Sequence, residues 1–171
     1  MTKDILLYFP LKTKNVRYGL FKTPVSDRQY TGGLKRKLYG VNGTYYNDAL
    51  DIGIGDNYTL LDMFHGWCVP YAKYFTERNP DWSIMELEKY HSYKRVNHAF
   101  AVKYLRDGRI LYADARGITD NVLEFFEDFT MSKDTMHVFP LRVKLDCYPV
   151  SKSIFKNAYE KIYAQGVPKF E

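Results

Sequence analysis

Two apolar runs separated by an Asp-Gly pair constrain the fold of this chain more than any other feature. The runs span residues 98–105 and 109–115, and Asp107-Gly108 lies between them. Asp-Gly between apolar runs is a strong hairpin signal, because these residues tolerate the positive φ values of tight turns. The sequence therefore predicts an antiparallel hairpin, and we expect an α+β fold in which an antiparallel sheet packs on helices.

The register of this hairpin decides which side chains share a face of the sheet. A two-residue turn would pair residue 101 with 114 and would place Asp114 on the face opposite His98. A three-residue loop with a glycine bulge would shift the pairing to 102 with 114 and return both side chains to one face. Such loops are common, and only this loop allows His98 and Asp114 to act together.

A helix with a cysteine in its first turn is predicted upstream of the hairpin. Gly66 permits a tight turn, and Pro70 suits a first helical turn because its φ is fixed and it lacks an N–H. Apolar residues then keep helical spacing until Asn79-Pro80. The helix dipole and the free N–H groups there lower the pKa of a thiol and can bind an oxyanion. The alternative is that Cys68 is a small buried apolar residue, as most free cysteines are.

Capping residues and apolar periodicity predict the remaining elements. In the first half we expect a buried strand over residues 4–9, loops with short strands between Lys12 and Asn57, and short helices after Thr59 and after Ser83. In the second half we expect a helix over residues 121–129 capped by Thr119 or Asp120, a strand with Leu141, Val143, Leu145 and Cys147 inward, and a helix from Ser151 to Gly166. Cys147 is accordingly interpreted as a structural residue. The length of 171 residues suits one domain, so residues 1–171 are treated as a single domain.

Composition argues against disorder and against a membrane span. Apolar residues make up 46% of the chain and aromatic residues 17%, which is too hydrophobic for a disordered protein. No apolar run approaches the roughly 18 residues of a membrane span, and the run at residues 5–9 is too short for a secretory signal. We therefore expect a cytoplasmic protein without membrane contacts, in which Cys68 and Cys147 are thiols rather than a disulfide.

Basic clusters leave a second interpretation open. The net charge is +5, and basic residues cluster at 35–37, at 94–95 and at Lys12, Lys14 and Arg17, several of them beside tyrosines. Basic groups attract phosphate and aromatic rings stack on bases, so this surface permits nucleic-acid binding. A solvated lysine-rich face is the more ordinary explanation, and nucleic acid is the less favoured partner.

Three residues on the predicted elements form a pattern that thiol catalysis uses. Cys68 begins a helix, His98 opens a strand and Asp114 lies near the end of the next strand. In such a set the histidine takes the thiol proton and later returns it to the leaving group, while the carboxylate orients the imidazole. Cys68, His98 and Asp114 are therefore the candidate catalytic residues.

Four short motifs contain or adjoin these three residues, and all four lie within about residues 60–120. They are Gly66-Trp67-Cys68, His98–Val102, Asp107–Arg109 and Asp114–Gly117. The set resembles the papain-like superfamily in its transglutaminase-like arrangement, and it is similar to small bacterial and phage proteins with the same pattern. The resemblance implies a papain-like α+β domain whose antiparallel sheet packs on the helix that carries the cysteine. It also implies a thiol-dependent acyl-transfer enzyme, such as a peptidase, amidase, deamidase or transglutaminase, with a protein or peptide as substrate.

The resemblance also bears on the residues around the triad. The glutamine that binds the oxyanion in papain-type enzymes, six residues before the cysteine, is replaced here by Asp62. This leaves the backbone N–H of Cys68 as the candidate donor. Trp67 and Asn97 adjoin the cysteine and the histidine and are the expected substrate contacts, with a turn or strand-end hydrogen bond as the alternative for Asn97.

We expect neither a metal nor a cofactor. His65 and Cys68 would supply two of the three or four ligands of a zinc site, and the other histidines show no metal spacing. His91 and His137 are interpreted as ordinary surface or hydrogen-bonded residues. The principal rival to an enzyme is a non-catalytic interaction protein on the same fold, which binds a protein or nucleic acid through a basic, tyrosine-rich surface.

Overall fold

The computed structural model of this chain describes residues 3–22, 48–89, 96–126, 136–142 and 144–170. The helices in these ranges are α1 (Lys3–Tyr8), α2 (Leu60–Phe64), α3 (Cys68–Arg78), α4 (Val122–Phe126) and α5 (Lys152–Tyr163). The strands are β1 (Arg17–Gly19), β2 (Gly53–Gly55), β3 (Tyr58–Thr59), β4 (Ser83–Lys89), β5 (Val96–Tyr104), β6 (Ile110–Asp114), β7 (Gly117–Thr119) and β8 (Met136–Pro140). Short 3-10 turns cover Leu20–Lys22 and Asp48–Asp51. The chain is an α+β protein, as its sequence predicts.

One antiparallel sheet organises the described residues, with the strand order β1-β7-β6-β5-β4-β8. Every neighbouring pair in it is antiparallel, and β2 and β3 form a separate small ribbon. The predicted hairpin is confirmed as β5 and β6. Because β5 pairs with β4 on one edge and with β6 on the other, it is held inside the sheet.

The hairpin turn is the three-residue loop, residues 106–108. A backbone hydrogen bond of 2.9 Å closes this loop, and Gly108 has a φ of 88°, in the region that favours glycine. The register pairs Val102 with Tyr112, so the expected pairing of residue 102 with Asp114 is wrong. The error is two residues, and a shift of two leaves every side chain on its original face.

The sheet carries an apolar core on each face. On one face α2, α3 and α5 cover sheet residues that include Ala101 and Leu111. On the other face α1 and α4 cover sheet residues that include Phe100 and Tyr112. Neighbouring residues of β5 therefore enter different cores, as the alternation of side chains along a strand requires.

The turn into α3 forms as the sequence predicts. Thr59 caps α2, and the carboxylate of Asp62 accepts the Thr59 N–H over 2.8 Å. Gly66 has a φ of 116°, which a residue with a side chain rarely adopts. The helix α3 then begins at Cys68 and ends at Arg78, directly before the expected stop.

The C-terminal helix is also confirmed. It follows Ser151, and its predicted apolar stripe is buried: Ile154, Phe155, Ala158, Tyr159 and Ile162. Gly166 has a φ of 80° and donates its N–H to the carbonyl of Tyr163 over 2.8 Å, beyond the helix end. None of the helices in the described ranges is long and apolar enough to cross a membrane.

Residues 4–8 belong to helix α1 rather than to the strand predicted over residues 4–9. Directly after the helix, the N–H of Phe9 donates to the carbonyl of Ile5 over 3.0 Å. These two residues are one helical turn apart, and both are buried against the sheet. A short apolar run does not distinguish a buried strand from a buried helix, so contact with the sheet decides between them.

Two further expectations are wrong because sheet pairing overrides local patterns. Ser83 begins strand β4 instead of a helix, and this strand pairs with β5 on one edge and β8 on the other. The strand expected over residues 141–147 lies earlier in the chain, as β8. Cys147 is exposed rather than inward, and Val143 lies outside the described residues.

The helix predicted over residues 121–129 has a different cap from the one expected. It begins after Asn121, whose Oδ1 accepts the N–H groups two and three residues further on, over 3.1 and 3.2 Å. The expected caps, Thr119 and Asp120, bind other groups. Residues 127–129 lie outside the described ranges.

Candidate active site

The candidate site lies where the start of α3 meets β5. Pairing between β5 and β6 ends at Ala101 and Ala113, so the first part of β5 continues without β6 beside it. On this stretch Ala99 packs against Cys68, and the Ala99 backbone acts to lower the pKa of the thiol. The early end of the pairing therefore leaves space for the first turn of α3.

His98 and Asp114 are in direct contact. The Nε2 atom of His98 lies 2.9 Å from Oδ2 of Asp114. The His98 ring stacks on Phe100 and contacts Phe125 of α4, so it lies on the face of the sheet that α1 and α4 cover. The carboxylate orients the ring through Nε2, which leaves Nδ1 as the nitrogen for the thiol.

The Cys68 thiol lies close enough to His98 and to the backbone N–H groups of Val69 and Ala99 for each of them to act on its pKa. Burial acts to raise the pKa of Cys68, but the interactions with His98 and with these N–H groups outweigh burial and lower it. Burial acts to lower the pKa of His98, whereas its bonds to Asp114 and Cys68 raise it. Both shifts favour a thiolate–imidazolium pair, which is the activated form of a catalytic cysteine.

The three candidate side chains are shielded from water. The exposed fraction is 7% for Cys68, 1% for His98 and 4% for Asp114. Phe64 packs edge-on against the His98 ring, with a centroid distance of 5.2 Å. Charges in such surroundings interact more strongly than they do in water, so losing one of these contacts costs more free energy than losing the same contact at the surface.

Asp114 also binds Arg116, which the sequence interpretation does not single out. Nη2 of Arg116 lies 2.7 Å from Oδ2 of Asp114, and the Arg116 N–H donates to Oδ1 over 2.8 Å. Burial acts to raise the pKa of Asp114, but the charge of Arg116 and the bond to His98 hold it well below its usual range. The signal in the sequence is a basic residue two positions after the candidate carboxylate, directly before a glycine.

The backbone N–H of Cys68 remains the candidate oxyanion donor. Cys68 is the first residue of α3, where N–H groups have no acceptor within the helix. The carboxylate of Asp62, six residues before Cys68, caps α2. Its carbonyl oxygen accepts the N–H of Trp67 over 2.9 Å, which fixes the residue directly before the cysteine.

The expected substrate contacts lie on either side of the triad. Trp67 is half-buried, and its ring packs against Tyr58 and Phe155 with centroid distances of 4.5 and 6.2 Å. Asn97 belongs to β5, but its side chain lies outside what the structure describes. Substrate contact by Trp67 or Asn97 stays a prediction.

Of the other histidines, the structure describes His65 and His137. His65 is exposed in the turn before α3, and His137 is half-buried in β8. His91 and the basic clusters at residues 35–37 and 94–95 lie outside the described residues. Within the described part of the chain, no group of three His, Cys, Asp or Glu side chains could hold a metal ion.

The N-terminal basic cluster binds acidic and carbonyl groups of the same chain. Lys12 donates to the carbonyl of Asp107, and Lys14 lies 3.8 Å from the Asp107 carboxylate. Arg17 pairs with the buried carboxylate of Glu124 at 2.9 Å. This part of the basic surface therefore contributes to the fold, which weakens its case as a polyanion site.

Comparison with known proteins gave no match. No family model matches this chain, and neither a curated protein nor a solved structure matches it. Function is therefore inferred from the chemistry of Cys68, His98 and Asp114.

Proposed function

We propose that this protein is a thiol-dependent acyl-transfer enzyme of papain-like architecture, with Cys68 as nucleophile, His98 as general acid and base, and Asp114 orienting His98. The observation that carries this proposal is a chain of contacts. The Cys68 thiol lies close enough to His98 for each to shift the pKa of the other, and His98 Nε2 lies 2.9 Å from Asp114. The placement of the cysteine at a helix start, with the other two on adjacent antiparallel strands, resembles the transglutaminase-like arrangement.

In the acylation step the thiolate of Cys68 attacks the carbonyl carbon of an amide. A C–S bond forms, and the carbonyl oxygen becomes an oxyanion, for which the Cys68 N–H is the candidate donor. As the oxyanion collapses, the C–N bond breaks and His98 donates its proton to the leaving nitrogen. The products are a thioester on Cys68 and an amine, or ammonia when the amide belongs to a side chain.

In the second step His98 acts as a base. It accepts a proton from water or from an acceptor amine, whose oxygen or nitrogen attacks the thioester carbon. The C–S bond breaks, and Cys68 and His98 return to the thiolate–imidazolium pair. Attack by water makes the protein a peptidase, amidase or deamidase, and attack by an amine makes it a transglutaminase.

An activated ester tests acyl transfer without knowledge of the natural substrate. With p-nitrophenyl acetate we expect a burst of p-nitrophenolate and acetylation of Cys68, both of which Cys68→Ala abolishes. His98→Ala should slow the burst by at least about 100-fold, the usual contribution of a general base. Peptide mass spectrometry identifies the acetylated residue.

The exposed thiol provides a matched control. Cys147 is exposed, and Cys147→Ala should leave the burst unchanged. Acetylation of Cys147 in preference to Cys68, or equal burst rates for the wild type and a folded His98→Ala protein, contradicts the proposal. The non-catalytic rival predicts that Cys68 reacts no faster than a thiol in a short peptide.

A further inference from the structure

The turn between β6 and β7 places the side chain of Arg116 against Asp114 of the triad. Asp114 pairs with Gly117 across this turn, and Ala115 and Arg116 form its two central residues. Gly117 has a φ of 125°, which a residue with a side chain rarely adopts. This sharp reversal brings the guanidinium of Arg116 back to the carboxylate two residues earlier.

Arg116 engages both oxygens of the Asp114 carboxylate. Oδ1 accepts the backbone N–H of Arg116 over 2.8 Å and its Nε over 3.1 Å. Oδ2 accepts Nη2 over 2.7 Å and also lies 2.9 Å from His98 Nε2. A planar guanidinium that holds both oxygens prevents rotation of the carboxylate, so Oδ2 stays directed at the histidine.

Aromatic rings hold Arg116 in this position. Its exposed fraction is 5%, and its guanidinium carbon lies 4.5, 4.8 and 4.9 Å from the ring centroids of Phe64, Phe21 and Phe125. Nη2 also donates to the carbonyl of Phe125 over 3.0 Å. Phe64 and Phe125 contact the His98 ring as well, so the same rings fix the cation and the imidazole.

We propose that Arg116 is a positioning residue for the triad, which holds Asp114 ionised and directed at His98 Nε2. This inference rests on the proposed function, because it assigns Arg116 a role in activating Cys68. Without the guanidinium, burial favours the neutral carboxylic acid. A neutral Asp114 stabilises the imidazolium less, so the thiolate forms only at higher pH.

The other titratable groups around Asp114 do not replace Arg116. Tyr71 of α3 and Tyr163 of α5 are fully buried, and burial, together with the charge of Asp114, raises the pKa of both phenols. Both phenols are therefore harder to ionise than an ordinary tyrosine. Among the described residues, Cys68 joins these groups through His98, with which it interacts.

The pH dependence of Cys68 alkylation tests this role. In a Cys147→Ala background, which removes the exposed thiol, the rate of reaction with iodoacetamide is measured from about pH 4 to 10. Arg116→Met should raise the midpoint of the profile by about one pH unit or more. Arg116→Lys keeps the charge but loses the fork of donors, so its midpoint should lie between those of Arg116→Met and the wild type.

Two comparisons separate this role from a purely structural one. Asp114→Asn should raise the midpoint as Arg116→Met does, and combining the two substitutions should add little. A lower melting temperature with an unchanged midpoint for folded Arg116→Met overturns the proposal, and so does a midpoint below that of the wild type. If Arg116→Met does not fold, Arg116→Lys decides: a raised midpoint supports the role, and a coincident midpoint overturns it.

The same experiment distinguishes failure of the proposed function from failure of the role of Arg116 alone. If Cys68 of the wild type reacts no faster than a free thiol and His98→Ala changes nothing, the proposed function fails. If the wild type is reactive and depends on His98, but the Arg116 variants share its profile, only the role of Arg116 fails.

Discussion

Asp114 is a buried carboxylate that serves two partners, with His98 at one oxygen and Arg116 at both. Neither Asp114 nor Arg116 is exposed by more than 5%. A buried charge is stable only while its partner is present, because water cannot replace the partner. At the scale of single residues, the triad and the stability of the fold therefore depend on the same carboxylate.

Asp114→Asn should lower the free energy of unfolding at pH 7 by about 3–5 kcal/mol, since it leaves the buried guanidinium of Arg116 without its carboxylate. The pKa of Asp114 is depressed in the folded protein, so its stabilising contribution is present above its ordinary pKa and is lost as the pH falls. The difference between wild type and variant should shrink below about pH 4. Urea unfolding at a series of pH values measures it, and a difference that grows in acid contradicts this account.

At the scale of elements, the site depends on how closely β1 and β7 approach each other. Gly117 pairs with Gly19 of β1 on one side and with Asp114 of β6 on the other. A Cβ atom added at Gly117 would clash with the carbonyl oxygen of Tyr18. The glycine in the Asp114–Gly117 motif is therefore required for packing as well as for its positive φ.

Gly117→Ala should destabilise the protein by more than about 1 kcal/mol, because both the backbone conformation and the space are unsuitable for a side chain. The melting temperature should fall by several degrees. Gly53→Ala is the matched control, since a Cβ atom there has no neighbour within 4 Å and its φ is not in the positive region. Thermal unfolding of both variants measures the effect, and equal melting temperatures for the two would refute it.

At the scale of the whole molecule, a second buried carboxylate fastens the N-terminal segment to the sheet. Asp120 accepts hydrogen bonds from the hydroxyl of Thr13, from the N–H groups of Lys14 and Val16, and from Nη1 of Arg109, over 2.7 to 3.0 Å. Arg109 follows the β5–β6 loop and is 4% exposed. The segment before β1 is thus attached to the same hairpin that carries His98 and Asp114.

Asp120→Ala should destabilise the protein by about 3–5 kcal/mol, because it leaves the guanidinium of Arg109 buried beside fewer carboxylate groups. It should also speed tryptic cleavage after Lys14, since the segment loses the bonds that hold it. The alkylation profile of Cys68 in the folded protein should not change, because Asp120 does not contact the triad. Unaltered cleavage at Lys14 would show that other contacts hold the segment.

Local signals in the sequence determine the elements that carry the candidate residues. Gly66 and the apolar spacing after it specify a helix that begins at Cys68, and Asp107-Gly108 specifies the hairpin between His98 and Asp114. The cap of α2 at Thr59 is likewise specified by neighbouring residues in the sequence. Each depends on residues within one or two turns of chain, so backbone preferences alone are sufficient.

Only the tertiary structure decides the features that require distant parts of the chain. Residues 4–8 are helical and Ser83 begins a strand because the sheet supplies their partners, and those partners outweigh short local patterns. The contact between Arg116 and Asp114 needs a reversal whose glycine lies against β1, a strand about a hundred residues away in sequence. The pKa shifts of the triad come from the partners that folding brings together, such as His98 for Cys68 and Arg116 for Asp114, and these partners outweigh burial.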